Sequence, residues 1–164
     1  MPDSSFYSRS GVASICELPS IKGRIKNGEN RMKTVDDIMA KGNAVSSVSG
    51  DTCVRELLEI MDHKQLGAVC VIDDGVLEGI ITDGDFRRLI LNTQDTLPTL
   101  FMKLAGHIMI RDPKTVVSGT SIDDCLDLLM RHRFWVVPVV DKANRLLGMV
   151  HMQDLIHAKL ANND

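Results

Sequence analysis

At 164 residues the chain suffices for one ordinary domain or for two small modules sharing a core. With 44% hydrophobic and 25% charged residues it reads as soluble and globular, and a net charge of −3 removes the broad basic surface on which nucleic-acid binding depends. No apolar run reaches membrane-spanning length, so neither nucleic acid nor a membrane is an expected partner.

Residues 1–33 are rich in Ser, Gly, Asn and basic residues, with short apolar islands at 12–15 and at Ile21, and an irregular N-terminal arm is expected there. Its Arg24, Lys26, Arg31 and Lys33 read as a solvated surface. Met1-Pro2-Asp3-Ser4-Ser5 lacks the basic and apolar regions of a signal peptide, which makes a cytoplasmic location the expectation. Cys16, Cys53, Cys70 and Cys125 show no C-x-x-C spacing, and the last three fall in apolar segments as small buried hydrophobes. Neither a disulfide framework nor a zinc site is expected.

From Val35 onwards the chain repeats itself. Met39 matches Met109 at a spacing of 70 (109 − 39); Val48 matches Val116, Val54 matches Ile122 and Asp73 matches Asp141 at 68 (116 − 48); Gly79 and Gly148, like Asp85 and Asp154, stand 69 apart (148 − 79). The copies span about 34–92 and 104–160. In each, a short strand near Val45–Val48 or its counterpart leads to a helix marked by Val54, Leu57, Leu58 and Met61, or by Ile122, Cys125, Leu126 and Leu129. Ser121-Ile122-Asp123-Asp124 supplies a capping box for the second of these helices.

Ala68–Ile72 and Val136–Val140 follow as β-branched, buried strands. Pro138 has no amide to donate, so its strand is expected at an edge or locally broken. Asp73-Asp74-Gly75 and Asp141-Lys142-Ala143-Asn144 turn into third strands at Val76–Ile81 and Leu146–Val150, and a closing helix follows each. The unit is β-α-β-β-α, an α+β fold, and two copies can bury their sheet faces against each other.

The stretch Gly79-Ile80-Ile81-Thr82-Asp83-Gly84-Asp85-Phe86-Arg87-Arg88 carries the chemistry. Phe86, Leu89 and Ile90 mark a helix with one buried face, and a strand running straight into a helix leaves backbone amides that suit an anion. A carboxylate accepts hydrogen bonds from two ribose hydroxyls and an arginine fork matches phosphate, so the decapeptide suits a nucleotide. Thr82-x-x-Asp85 is equally a capping box that needs no ligand. The second copy keeps Asp154 but has His151 in place of Thr82, so Asp recurs where the hydroxyl does not.

Other residues point elsewhere. Trp135 is expected in the core or the cleft wall, and the nine methionines in the core. His63, His107, His132, His151 and His157 have no metal-binding spacing, and Asp36-Asp37, Asp73-Asp74 and Asp123-Asp124 sit at helix starts or turns rather than as paired catalytic acids. With no nucleophile–base pattern in view, the chain is not expected to be an enzyme.

Asp37-Ile38-Met39, His132-Arg133 before Val136-Val137-Pro138-Val139-Val140-Asp141, and the closing Gly-x-x-Thr-x-x-Asp together resemble a tandem cystathionine-β-synthase (CBS) domain pair, or Bateman module. Ile81–Arg88 and Gly148–Leu155 are similar to the CBS regions attached to arabinose-5-phosphate isomerases and, in part, to sugar nucleotidyltransferases. The residues ahead of the repeat are too few for a catalytic domain, so a free-standing regulator or a piece of a larger enzyme is expected.

The resemblance implies two repeats packed sheet to sheet with pseudo-twofold symmetry and two clefts that take an adenosine nucleotide (AMP, ADP or ATP), with no metal. Carried across, cleft one uses Thr82, Asp85, Arg87 and Arg88 with Pro113, Lys114, Phe134, Trp135 and Val136; cleft two uses His151 and Asp154 with Val45, Ser46, Leu66, Gly67 and Ala68. The aspartates hold ribose, and Thr82 with the arginines faces phosphate. Because Ile156 and His157 replace Arg87 and Arg88, cleft one is the better phosphate binder. The implied function is a non-catalytic nucleotide sensor, in a homodimer or beside a catalytic partner. The alternatives are a dimerisation module with empty clefts, or the regulatory part of a sugar-phosphate isomerase or nucleotidyltransferase.

Overall fold

The computed structural model describes residues 34–64 and 67–162. The expected arm at 1–33, with Cys16, and the site position Leu66 lie outside the described residues. The first repeat opens with 3-10 turns at Val35–Asp37 and Gly42–Ala44, then runs through β1 (Ser47–Val48), α1 (Val54–Lys64), β2 (Ala68–Asp73), β3 (Val76–Thr82) and α2 (Asp83–Asn92). A short helix, α3 (Leu97–Phe101), links it to α4 (Ala105–Ile108), β4 (Ile110–Arg111), β5 (Val116–Val117), α5 (Ile122–His132), β6 (Val136–Val140), β7 (Leu146–His151) and α6 (Met152–Ala161). Among the described residues no helix is long and apolar enough to cross a membrane.

Among the described residues the strands form two sheets, ordered β1-β2-β3-β4 and β5-β6-β7. In each, a parallel pair joins an antiparallel hairpin, so the α+β repeat read from the sequence is realised twice. Asp74 and Gly75 turn the first hairpin with φ of 46° and 81°, the left-handed pair that suits two-residue hairpin turns.

Among the described residues three apolar clusters hold the fold together. Ala68, Cys70, Leu77 and Ile80 of the first sheet meet Val140 and Met149 of the second, which makes the sheet-to-sheet seam. Each of the other two clusters lies between one sheet and its helices, but is completed by the opposite repeat. Val35, fully buried, packs with Ile122, Leu129 and Leu155, whereas Ala105 packs with Leu57, Val69 and Ile81. The leading segments therefore cross over. Their backbones follow: β4 pairs antiparallel with β3 through Gly79↔Arg111, and Ala40 bridges Met149.

The crossovers explain the paired glycines. A Cβ on Gly79 would lie 2.6 Å from Met109 Sδ and 2.8 Å from the Ile110 carbonyl; on Gly148 it would lie 2.5 Å from the Ala40 carbonyl and 2.7 Å from Met39 Sδ. Both are contacts that real Cβ atoms do not make.

Several expectations need correction. The strand with Pro138 is central in its sheet, not at an edge; Pro138 lies opposite Met149, and the register shifts just beyond it, between Val139 and Val140. Pro138 is tolerated because pairing with β5 starts only at Val139, so no ladder partner is denied an amide. Helix α2 forms where Phe86, Leu89 and Ile90 mark it but buries none of its residues, and Ile90 and Leu91 are exposed. An apolar stripe shows which face would be buried; it does not supply an element to cover it. Met102 and Met130 are likewise exposed rather than in the core.

Candidate functional site

The end of β3 delivers the chain into α2 through Thr82, whose extended backbone makes it the N-cap. Its hydroxyl accepts from the Asp85 amide at 3.3 Å, and Asp85 Oδ2 accepts from the Thr82 amide at 2.9 Å and from its hydroxyl at 2.6 Å. This is a complete capping box. The other carboxylate oxygen, Oδ1, pairs with Arg88 one turn further on. Two backbone donors of the helix start are thus satisfied locally, and the acid is fixed in one rotamer with its side chain 11% exposed.

The second repeat builds the same box with different chemistry. His151 Nδ1 accepts from the Gln153 amide at 3.5 Å, and Asp154 accepts from the His151 amide at 3.4 Å. A ring nitrogen replaces the hydroxyl as cap acceptor. Recurrence of the acid without Thr is therefore explained by capping in both copies, and it no longer distinguishes a ligand role from a structural one.

Around the start of α2 lies a cleft of about 1080 Å³. Its walls include Thr82, Asp85, Arg87 and Arg88 from the first repeat, and Pro113, Lys114, Phe134, Trp135 and Val136 from the second. Every residue assigned from the sequence to cleft one lines this one hollow. Gly67 and His151, assigned to cleft two, line it as well, because they sit at the pseudo-twofold counterparts of Trp135 and Thr82 beside the seam. Val45, Ser46, Ala68 and Asp154 do not line it. Ser46 and Ala68 are fully buried, and Ser46 Oγ has no hydrogen-bond partner among the described residues.

Asp62, Asp83, His132, Arg133 and Pro138 also line the cleft and were not assigned from the sequence. The pair His132-Arg133 ahead of Val136–Val140 was the signal for Arg133, which ends α5 in the left-handed conformation, φ 57°, after a helix whose last turn is basic. His132 stacks on Phe134 with ring centroids 5.3 Å apart. Arg87, Lys114 and Arg133 form no ion pair among the described residues, so their charged groups are open to an anion at the cleft, which Asp62 and Asp83 also line. Trp135, 70% exposed, offers an uncovered aromatic surface at the same place. Acceptors for hydroxyls, cations for an anion and a flat apolar face are together in one hollow.

Among the described residues no group of three or more His, Cys, Asp or Glu side chains is placed to hold a metal ion. The two buried thiols are shielded rather than activated: desolvation pushes Cys70 up to about 12 and Cys125 up to about 11.

The sequence matches the CBS domain family twice, over residues 35–92 and 105–161. It is similar to protein RP505 of Rickettsia prowazekii, 35% identical over 130 residues that cover 79% of this chain and 38% of that protein. It is similar too to arabinose 5-phosphate isomerase KdsD of Francisella tularensis, 30% identical over 138 residues that cover 81% of this chain and 39% of the isomerase. The chain thus spans well under half the length of the curated relatives it matches. Among solved structures it resembles CBSX2 in complex with AMP, with a TM-score of 0.70 and 29% identity over 80% of this chain and 98% of that one. CBSX2 from Arabidopsis thaliana gives a TM-score of 0.68 and 30% identity over 79% of this chain and 96% of that one.

Proposed function

Since the chain belongs to the CBS domain family and carries the domain as a tandem pair, we propose that it is a non-catalytic regulatory module that binds an adenosine nucleotide in the cleft at the start of α2. The observation that carries this reading is the convergence of Asp85, the unpaired cations Arg87, Lys114 and Arg133, and the uncovered face of Trp135 on one hollow drawn from both repeats. Asp85 receives the ribose hydroxyls, the cations receive the phosphate, and the aromatic wall takes the base. A solved relative of the same fold, CBSX2, holds AMP, which supports the choice of ligand class.

Such a ligand, touching both repeats at once, favours one arrangement of the two over others, and that bias is the regulatory output. The output is received by a second copy or by a catalytic partner. Exposed Ile90 and Leu91 of α2 with Ile156 and Leu160 of α6 support a homodimer, and the similarity to KdsD supports a sugar-phosphate isomerase as the regulated activity.

Thermal melts with AMP, ADP, ATP, S-adenosylmethionine and cytidine sugar nucleotides test the reading. Ligand ~100-fold above its dissociation constant stabilises the folded form by about 2.7 kcal/mol. A shift with an adenosine nucleotide, lost in Asp85→Ala, is expected. A dimer indifferent to every nucleotide in the series would leave only a pairing module.

A further inference from the structure

We propose that Arg88 makes the cleft discriminate a phosphorylated nucleoside from its unphosphorylated parent, by exchanging its partner from Asp85 to the phosphate. The inference rests on the nucleotide reading above and adds to it how the ligand is selected.

The acid that would grip a ribose is not free to do so in the ligand-free protein. Its Oδ2 is committed to the amide and hydroxyl of Thr82 at 2.9 and 2.6 Å, bonds that cap α2. Its Oδ1 is held by Nη2 of Arg88. The two engagements differ in kind. Thr82 is fixed by the strand-to-helix turn, whereas Arg88 is a long side chain, 65% exposed, on the outer surface of the helix. Only the second can be surrendered without undoing the start of α2.

Arg88 also sits where a phosphate belongs. Its side chain folds back along the ten-residue helix, so that a Cβ built on Gly84 would be 3.5 Å from Nη1 and 3.8 Å from Nη2. The guanidinium therefore lies against the first turn, the end of a helix that favours anions and disfavours cations. Asp85 holds it there. A phosphate arriving at the same turn would accept the guanidinium fork and would lie at the positive end of the helix dipole.

These two positions couple the two ends of the ligand. A nucleoside must displace Arg88 from Oδ1 to reach the carboxylate, and it leaves the guanidinium with no acceptor. A nucleotide displaces the same bond and supplies the acceptor in one step. Arg87, Lys114 and Arg133 also line the cleft, but none of them holds Asp85, so they attract phosphate without obstructing the ribose site.

Calorimetric titration of AMP and of adenosine into the native chain, Arg88→Gln and Arg87→Gln tests this. Because Arg88 is exposed, loss of its charge leaves the core intact, and a melt of each variant verifies the fold. In Arg88→Gln, adenosine is expected to tighten by up to about tenfold, the scale of one charge-assisted hydrogen bond that no longer has to be broken, while AMP, which exchanges one such bond for another in the native chain, changes less, so the preference for AMP over adenosine falls. In Arg87→Gln, AMP weakens and adenosine is unchanged. If adenosine binds Arg88→Gln no better than the native chain, or binds neither, Arg88 is a simple phosphate contact and the exchange is wrong. If AMP fails to bind the native chain, the nucleotide reading itself falls and this inference falls with it.

Discussion

Pro138 stands where the first repeat has Cys70, 68 positions earlier (138 − 70), and only one of the two can close its strand. The Cys70 amide donates to the Ser46 carbonyl at 2.9 Å, and pairing of β1 with β2 begins at Ser47↔Cys70. Lys114 is the counterpart of Ser46 (114 − 46 = 68), and Pro138 has no amide to offer it; β5 starts to pair only at Val116↔Val139. The consequence is visible in the side chains. Ser46 is fully buried and Lys114 is exposed, and Pro138 and Lys114 both line the cleft.

One open and one closed strand start give unequal clefts. Equilibrium dialysis with AMP should therefore saturate near one nucleotide per chain. Two equivalent sites per chain would contradict the asymmetry between Pro138 and Cys70.

The two crossover glycines should be sensitive to a single methyl group. Gly79→Ala and Gly148→Ala each drive a Cβ against backbone, at 2.8 Å from the Ile110 carbonyl and 2.5 Å from the Ala40 carbonyl. Neither can relax without moving a strand, so each should lose about 1–3 kcal/mol in urea denaturation. Gly50→Ala is the control: its nearest neighbour would be 3.8 Å away, and its stability should change by less than about 0.5 kcal/mol. Equal losses at all three positions would mean that close approach is not what requires glycine.

The repeats should unfold together, because each core borrows from the other. Leu57→Ala, in the core completed by Ala105, is expected to cost about 2–5 kcal/mol and to shift the transition seen by Trp135 fluorescence in the other repeat by the same amount. A Trp135 transition unmoved by Leu57→Ala would show two independent domains.

Much of this was legible in the chain and some was not, for physical reasons. Strand and helix positions followed from local sequence: Ala68–Asp73 is a short apolar, β-branched run ending at a turn, and Val54–Lys64 carries a pattern of period 3.6, neither of which a distant contact has to supply. The crossover of Val35 and Ala105 was not legible, because the partner of a short apolar segment is decided by tertiary packing. Pro138 was misread for a related reason: proline forbids a hydrogen bond at one point, and it forbids a central strand only where a neighbour needs that bond. At the site, residue types located the cleft, but only the hydrogen bonds of Asp85 reveal that both its oxygens are engaged before any ligand arrives.

The buried thiols give the protein an alkaline weakness. Burial raises Cys70 to about 12 and Cys125 to about 11, so the folded state keeps these protons after the unfolded chain has released them. Stability from this source is complete below the ordinary thiol range and is lost as pH rises through it towards those values, by up to about 1.4 kcal/mol per pH unit for each thiol. Urea denaturation from pH 8 upwards should show the decline, and Cys70→Ala should shallow it. An unchanged slope in that variant would place the titration elsewhere.

The loss of a cap should be felt in stability as well as in binding. Thr82→Ala removes the acceptor for the Asp85 amide and one of the donors to its carboxylate, and should cost about 0.5–2 kcal/mol. Thr82→Ser keeps both bonds and should restore most of that loss. If Ser fails to restore stability, the methyl group rather than the capping box is what matters at this position.

Titration of AMP into the native chain and into Asp85→Ala is the most direct test of the whole account. Saturable heat with the native protein and none with the variant, when both are folded by their melts, is the predicted result. Equal binding by the two proteins, or no binding by either, would contradict the assignment of the cleft at the start of α2 as a nucleotide site.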